Sequence, residues 1–206
     1  MVAHYTRGIE ILIVCTGNTC RSPMAEALLR HSLDTRAIPA TVSSAGLLFD
    51  GEPATGTAVD TLDELGLDLH RHRSRVITPD LVGSADLVVA MAREHVREVV
   101  IRRPDRYGRV FTLRELVRRG DEAGSRPADE SIEAWLARLH VGRRPSSHQG
   151  SSSLDDIADP VGRGPGVYAR TAADLGVLVT RLTDLLWDPA HAIAGTPLGR
   201  SALPDR

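Results

Sequence analysis

The 206-residue chain contains no lysine; arginine supplies all 25 fixed positive charges against 27 acidic residues, a formal net charge of -2. That balance argues against nucleic acid or an anionic membrane as a partner. The two cysteines, Cys15 and Cys20, are too few for a disulfide framework, so a reducing cytoplasm is the expected location. Aromatic residues are scarce. No apolar run approaches the roughly 20 residues of a membrane span. The opening MVAHYTRGIEILIV lacks a secretory pattern, because Arg7 and Glu10 flank only a short apolar run. What is present is enough chain for one domain that buries its core without staples.

Apolar and amphipathic segments alternate along the chain. Ile9 to Val14 reads as a buried strand, and Ala40 to Ala45, Ala85 to Met91 and Val110 to Leu113 as three more. Pro23 suits a first helical turn, and Ala25, Leu28, Leu29 and Leu33 then share a face. Thr57 to Leu65 reads as a helix ending at Gly66, and Arg93 to about Ile101 as a charged helix. Val167 to Trp187 forms a long closing helix, with Leu175, Leu178, Leu182, Leu185 and Leu186 on one side. This alternation predicts an α/β fold with a parallel sheet. Residues 1–188 read as a single domain. A polar insert at about 119–153 interrupts it, with a short helix at Ser131 to His140 and a flexible SSHQGSSS linker. The proline-containing segment 189–206 reads as a loose tail.

The segment VCTGNTCRSPMAE, Val14 to Glu26, sits where the first strand hands over to the first helix. Five residues separate Cys15 from Arg21. A turn of that length can aim successive N–H groups inward as an anion nest, with the helix N-terminus adding its positive end. Thr16, Gly17, Asn18, Thr19, Cys20, Arg21 and Ser22 therefore make a candidate phosphate cradle. Arg21 can clamp two oxygens of a tetrahedral oxyanion. In that field the Cys15 thiolate, the nucleophilic form, is favoured. Gly17 permits the bend, Asn18 can brace the loop, and Ser22 can donate to the sulfur. A buried structural cysteine explains neither the arginine at this spacing nor the serine after it.

This stretch resembles the signature of the low-molecular-weight protein-tyrosine-phosphatases. SSAG (Ser43 to Gly46), SADLVVAM (Ser84 to Met91), RVFTLREL (Arg109 to Leu116) and ADP (Ala158 to Pro160) are similar to later segments of that family. The resemblance implies a three-layer sandwich, with a four-stranded parallel sheet in the flavodoxin-like order 2-1-3-4 flanked by helices. It implies no metal and no cofactor, phosphorylated proteins or peptides as partners, and a monomer. It also assigns Asp159 as the proton donor to the leaving group, the bound dianion and thiolate favouring its protonated form. Asp155 and Asp156 compete by proximity but do not precede a proline. The resulting cycle runs through a cysteinyl-phosphate that water hydrolyses. Cys20 could form a reversible disulfide with Cys15 on oxidation, or simply pack.

Family members acting on phosphotyrosine usually carry an aromatic residue after Asp-Pro and another on the facing loop. Here Val161 follows Pro160, and Phe49 is the candidate for the remaining wall of the substrate pocket. Thr19 stands where many tyrosine phosphatases have isoleucine, and the branch that dephosphorylates arginine carries threonine. Hydrolysis of phosphotyrosine is the main expectation and hydrolysis of phosphoarginine the alternative. Thiol-coupled arsenate reduction usually needs further thiols that this chain lacks. A non-catalytic phosphate-binding module would leave Cys15, Arg21 and Asp159 together unexplained.

Three other features read as plain. GRGPG (Gly162 to Gly166) does not follow a strand and reads as a loop. HRHRSR (His70 to Arg75) reads as a solvated basic turn, able at most to attract an acidic phosphoprotein. His95 reads as a surface residue. The insert is expected beside the active-site mouth, where it would restrict protein substrates, or else as a tolerated surface loop.

Overall fold

The computed structural model describes residues 8–187, so the expectation of a loose tail falls outside the described residues. Strands β1 (Ile9–Cys15), β2 (Ala40–Gly46), β3 (Leu87–Ala90) and β4 (Val110–Thr112) form one parallel sheet in the order β2-β1-β3-β4. Helices are α1 (Arg21–Thr35), α2 (Gly56–Asp63), α3 (Pro79–Ser84), α4 (Arg93–Arg102), α5 (Leu113–Ala123), α6 (Ile132–His140) and α7 (Pro165–Leu186). Because strand residues alternate between faces, Ile11 and Ile13 pack with α1, α5 and α7, whereas Leu12 and Val14 pack with α3 and α4. The sheet is covered on both sides, which is the expected three-layer α/β arrangement.

The expected element borders move by at most two residues. The first strand runs on to Cys15, which places the thiol at the C-terminal edge of the sheet. The closing helix starts at Pro165, so the last two residues of GRGPG are helix: Gly164 is its N-cap, and proline at the first helical position loses no needed N–H. Helix α3 was not foreseen; Thr78 caps it by accepting from Leu81 N.

The insert corrects a reading based on composition. Its helix α6 buries Trp135, Leu136 and Leu139 in the main core, and the Trp135 ring packs at Gly120 beside Leu185. The serine-rich stretch is tied down as well: His148 is buried, and Arg97 donates to the carbonyls of His148 and Gly150. The anchor is a buried ion cluster. Arg143 donates to both Glu115 oxygens (2.8 and 3.0 Å) and to Val110 O (2.7 Å), and lies 3.8 Å from the Phe111 ring centroid. Burial alone would push the Glu115 carboxyl up, but hydrogen bonds from His148 and Arg143 outweigh it and bring it down to about 2. Pairing of this kind is what makes a buried carboxylate tolerable. Ser131 and Ile132, at the start of α6, share a cavity with Gly8 and Ile9 at the N-terminal end of β1. Cys15 is at the other end of that strand, about 20 Å away at the usual strand rise. The start of α6 is therefore remote from the loop that carries the thiol, whereas the end of the insert reaches Asp156 through Ser152 N.

Candidate active site

The loop 16–20 leaves the sheet at Cys15 and enters α1 at Arg21. Its turn is made possible at two positions. Asn18 adopts a positive φ of 52°, a conformation that asparagine tolerates better than most residues. Gly46, at the end of β2, presses on the loop so closely that a Cβ there would lie 2.7 Å from Asn18 N and 2.8 Å from the Gly17 carbonyl carbon. Sequence reading did not assign Gly46 a role.

Asn18 is the keystone of the loop. Its backbone N–H points at Cys15 Sγ (3.2 Å), and its side-chain amide donates to Ser22 Oγ (3.0 Å) and Ser44 Oγ (2.7 Å). Ser22 Oγ in turn lies 2.9 Å from Cys15 Sγ. The sulfur thus has two donors aimed at it, an arrangement that stabilises negative charge on sulfur. The HRHRSR segment is not merely a solvated turn. His72 Nε2 donates to Asn18 O (2.7 Å), and Arg75 N donates to Asn18 Oδ1 (3.0 Å).

Arg21 is buried at the first position of α1. Its guanidinium donates to Ile157 O (3.3 Å), Thr16 Oγ1 (3.2 Å) and Asp159 Oδ2 (2.5 Å). The three candidate acids separate clearly. Asp155 is buried and paired with Arg93 and Arg118. Asp156 accepts from Arg93 N at the start of α4 and from Ser152 N. Asp159, whose side chain is 44% exposed, reaches the loop arginine. Both cysteines are free and buried. Burial first, then the neighbouring Cys15 and Asp159, push the Cys20 thiol up to about 12, so in this state it remains protonated.

The proposed pocket residues lie as follows. The Phe49 ring covers Gly17, where an added Cβ would sit 3.0 Å from its edge. Phe49, Leu48 and Val161 are exposed, and Val161 N donates to Asp159 Oδ1. Thr19 Oγ1 lies on the same side of Gly17 as that ring, and Thr19 O anchors Thr55 N (2.8 Å).

His95 was read as surface and is fully buried. Its Nε2 lies 2.9 Å from Thr16 Oγ1, the hydroxyl that accepts from Arg21. Burial, reinforced by Arg21 and Arg97, pushes the imidazole down to about 3. A neutral ring can accept the Thr16 proton, leaving that oxygen free for Arg21. The sign of the pH dependence follows. Below about 6.5 the unfolded histidine takes up a proton that the folded one refuses, so this group lowers stability progressively from about pH 6.5 to about pH 3. We expect the wild type to lose about 2 kcal/mol more between pH 7 and pH 5 than His95→Asn does. Denaturant midpoints at the two pH values check this, and equal losses would refute it.

A strand-end thiol held by two donors, a buried guanidinium and a carboxylate on that guanidinium define a site of the class that transfers a phosphoryl group to sulfur. Comparison with known proteins names the lineage. The family model described as low molecular weight phosphotyrosine protein phosphatase matches residues 10–133. A probable low molecular weight protein-tyrosine-phosphatase, EpsP of Ralstonia nicotianae, is 43% identical over 143 residues, covering 64% of this chain and 96% of that protein. A protein-arginine-phosphatase of Bacillus subtilis is 32% identical over 180 residues, covering 86% of this chain and 97% of that protein. The solved structure of a YwlE arginine phosphatase mutant with a phosphorylated active site serine superposes with a TM-score of 0.67 at 30% identity, covering 88% of this chain and 99% of that one. The chain belongs to the low-molecular-weight protein-tyrosine-phosphatase family.

Proposed function

We propose that the protein is a cysteine-dependent protein phosphatase that hydrolyses phosphotyrosine in phosphorylated proteins or peptides, acting as a cytoplasmic monomer without metal or cofactor. The observation that carries this is the Cys15–Ser22–Asn18 cluster beside a buried Arg21 already paired with Asp159. The substrate dianion displaces Asp159 from Arg21, and the released carboxylate, now beside the dianion, takes up a proton from solvent. Arg21 with the N–H groups of Thr16 to Arg21 holds the equatorial oxygens. The Cys15 thiolate attacks phosphorus, the bond to the phenolic oxygen breaks, and Asp159 gives that oxygen its proton. Water then attacks the cysteinyl-phosphate, Asp159 takes a proton from the water, and the P–S bond breaks to release the thiolate. Ser22 donates to the departing sulfur in this step. Phe49 forms one side of the mouth and Val161 the other. The described helices include none long and apolar enough to cross a membrane.

Phosphoarginine is the second reading, favoured by one residue. Thr19 is small and polar, a better wall for a guanidinium than for a phenyl ring. The protein-arginine-phosphatase relative also aligns over most of this chain. Phosphate release from matched phosphotyrosine and phosphoarginine peptides decides between the two. Preference for phosphotyrosine carries the main reading. Preference for phosphoarginine that Thr19→Ile reverses carries the second. Release from neither refutes both and points to arsenate chemistry or to binding without turnover.

A further inference from the structure

On the outer side of edge strand β2, a cavity of about 540 Å³ opens between that strand, the first turns of α1 and the segment around residues 68–75. Four arginines line it, Arg30, Arg71, Arg73 and Arg75, against the carboxylates Glu26 and Asp68. Arg30 is paired with Glu26. The other three have no carboxylate partner among the described residues. Arg73 reaches only the carbonyls of His70 and His72, and Arg75 Nε only Ser44 O (2.7 Å). Three guanidiniums without a carboxylate in one concave, polar surface make a site suited to a compact anion with two or more charges.

The walls of this cleft are also the back of the catalytic loop. His72, Arg75 and Ser44 line it, and each holds Asn18, through its carbonyl, its side-chain oxygen and its side-chain amide respectively. Ser44 passes its own proton to Glu26 Oε2 (2.5 Å), a further wall residue. Asn18 is the residue that points its N–H at Cys15. A ligand in the cleft therefore touches the residues that fix the loop without entering the mouth.

We propose that this rear cleft is a second oxyanion site, separate from the phosphate loop. It takes a small phosphate-class anion on Arg71, Arg73 and Arg75 and reports its occupancy to the loop through Asn18. The chemistry fits free inorganic phosphate, the product of the proposed reaction, and equally the diphosphate group of a small metabolite. Calorimetric titration of the full chain with inorganic phosphate, and separately with pyrophosphate, distinguishes the two sources by which probe binds more tightly. Two sites are expected in the wild type. The double variant Arg71→Ala, Arg73→Ala alters exposed side chains outside the loop. It should weaken one site by roughly tenfold or more and leave hydrolysis of a small aryl phosphate unchanged without added anion. Arg21→Ala should lose the other site and keep the cleft. With phosphate added to Arg21→Ala, the amide signals of Asn18 and Ser74 should shift, and the two cleft substitutions should abolish those shifts. A single site in the wild type, or undiminished binding in the double variant, overturns the proposal. Neither result bears on the phosphatase reading, which is tested by turnover.

Discussion

Cys15→Ser is expected to lower turnover by about 10⁴-fold or more while leaving the fold and phosphate binding in place. Sulfur and oxygen occupy nearly the same space at the end of β1, and the neighbours of the sulfur, Asn18 N and Ser22 Oγ, can donate to either. The chemical difference lies in ionisation: a thiolate forms readily near neutral pH, whereas a serine alkoxide does not. The two donors and Arg21 still stabilise the transferring group, so a slow first step persists. The second step is slower again, because an alkoxide is a poorer leaving group than a thiolate. The variant should therefore accumulate a phosphoserine, visible by mass spectrometry as one added phosphoryl group. A YwlE arginine phosphatase mutant is described as having a phosphorylated active site serine, which supports this expectation. Turnover within tenfold of wild type would remove Cys15 from the nucleophile's role.

The strands were legible because their signal is local. Ile9 to Val14 is a short, largely apolar run and β3 (LVVA) is another, so a parallel sheet follows from their alternation with helices. The order 2-1-3-4 came from the family resemblance, since β2 (ATVSSAG) carries no such run. The phosphate loop was legible for the same reason: nucleophile, clamp and serine lie within eight consecutive residues. What failed was long-range. Glu115 meets Arg143 across 28 residues and His148 across 33, and no local pattern announces such a cluster in a stretch rich in serine and glycine. Which arginine or amide Asp155, Asp156 and Asp159 each face is likewise a tertiary fact, and only the proline after Asp159 set it apart in the sequence. Two misses were avoidable. In RHRSR, exposed Arg71 and Arg73 alternate with inward His72 and Ser74, a period of two that marks an extended segment against the core. His95 shares the buried face of α4 with Val96 and Val99, and that spacing placed it inside despite its charged neighbours.

Asp159→Asn should separate the two halves of the reaction. With a phosphotyrosine peptide, whose leaving group needs a proton, the phosphorylation step should slow by about 10²–10⁴-fold. With p-nitrophenyl phosphate the leaving group departs without help. The first turnover should then stay fast as a burst of nitrophenol, while the steady rate falls, since Asp159 also serves as the base that activates water. Binding should move the other way. In the resting site the carboxylate occupies the Arg21 guanidinium, and a substrate dianion must displace it. Asparagine removes that competing charge, so KM should fall or stay level as kcat drops, which is the signature of a group used in the transition state rather than in substrate capture. Asp155→Asn is the control: it breaks ion pairs to Arg93 and Arg118 and should lower the melting temperature with the burst and the leaving-group dependence intact. If Asp155→Asn or Asp156→Asn abolishes phosphotyrosine turnover in folded protein while Asp159→Asn spares it, the acid has been misassigned. The contact between Asp159 and Arg21 would then be no more than a clasp on the guanidinium.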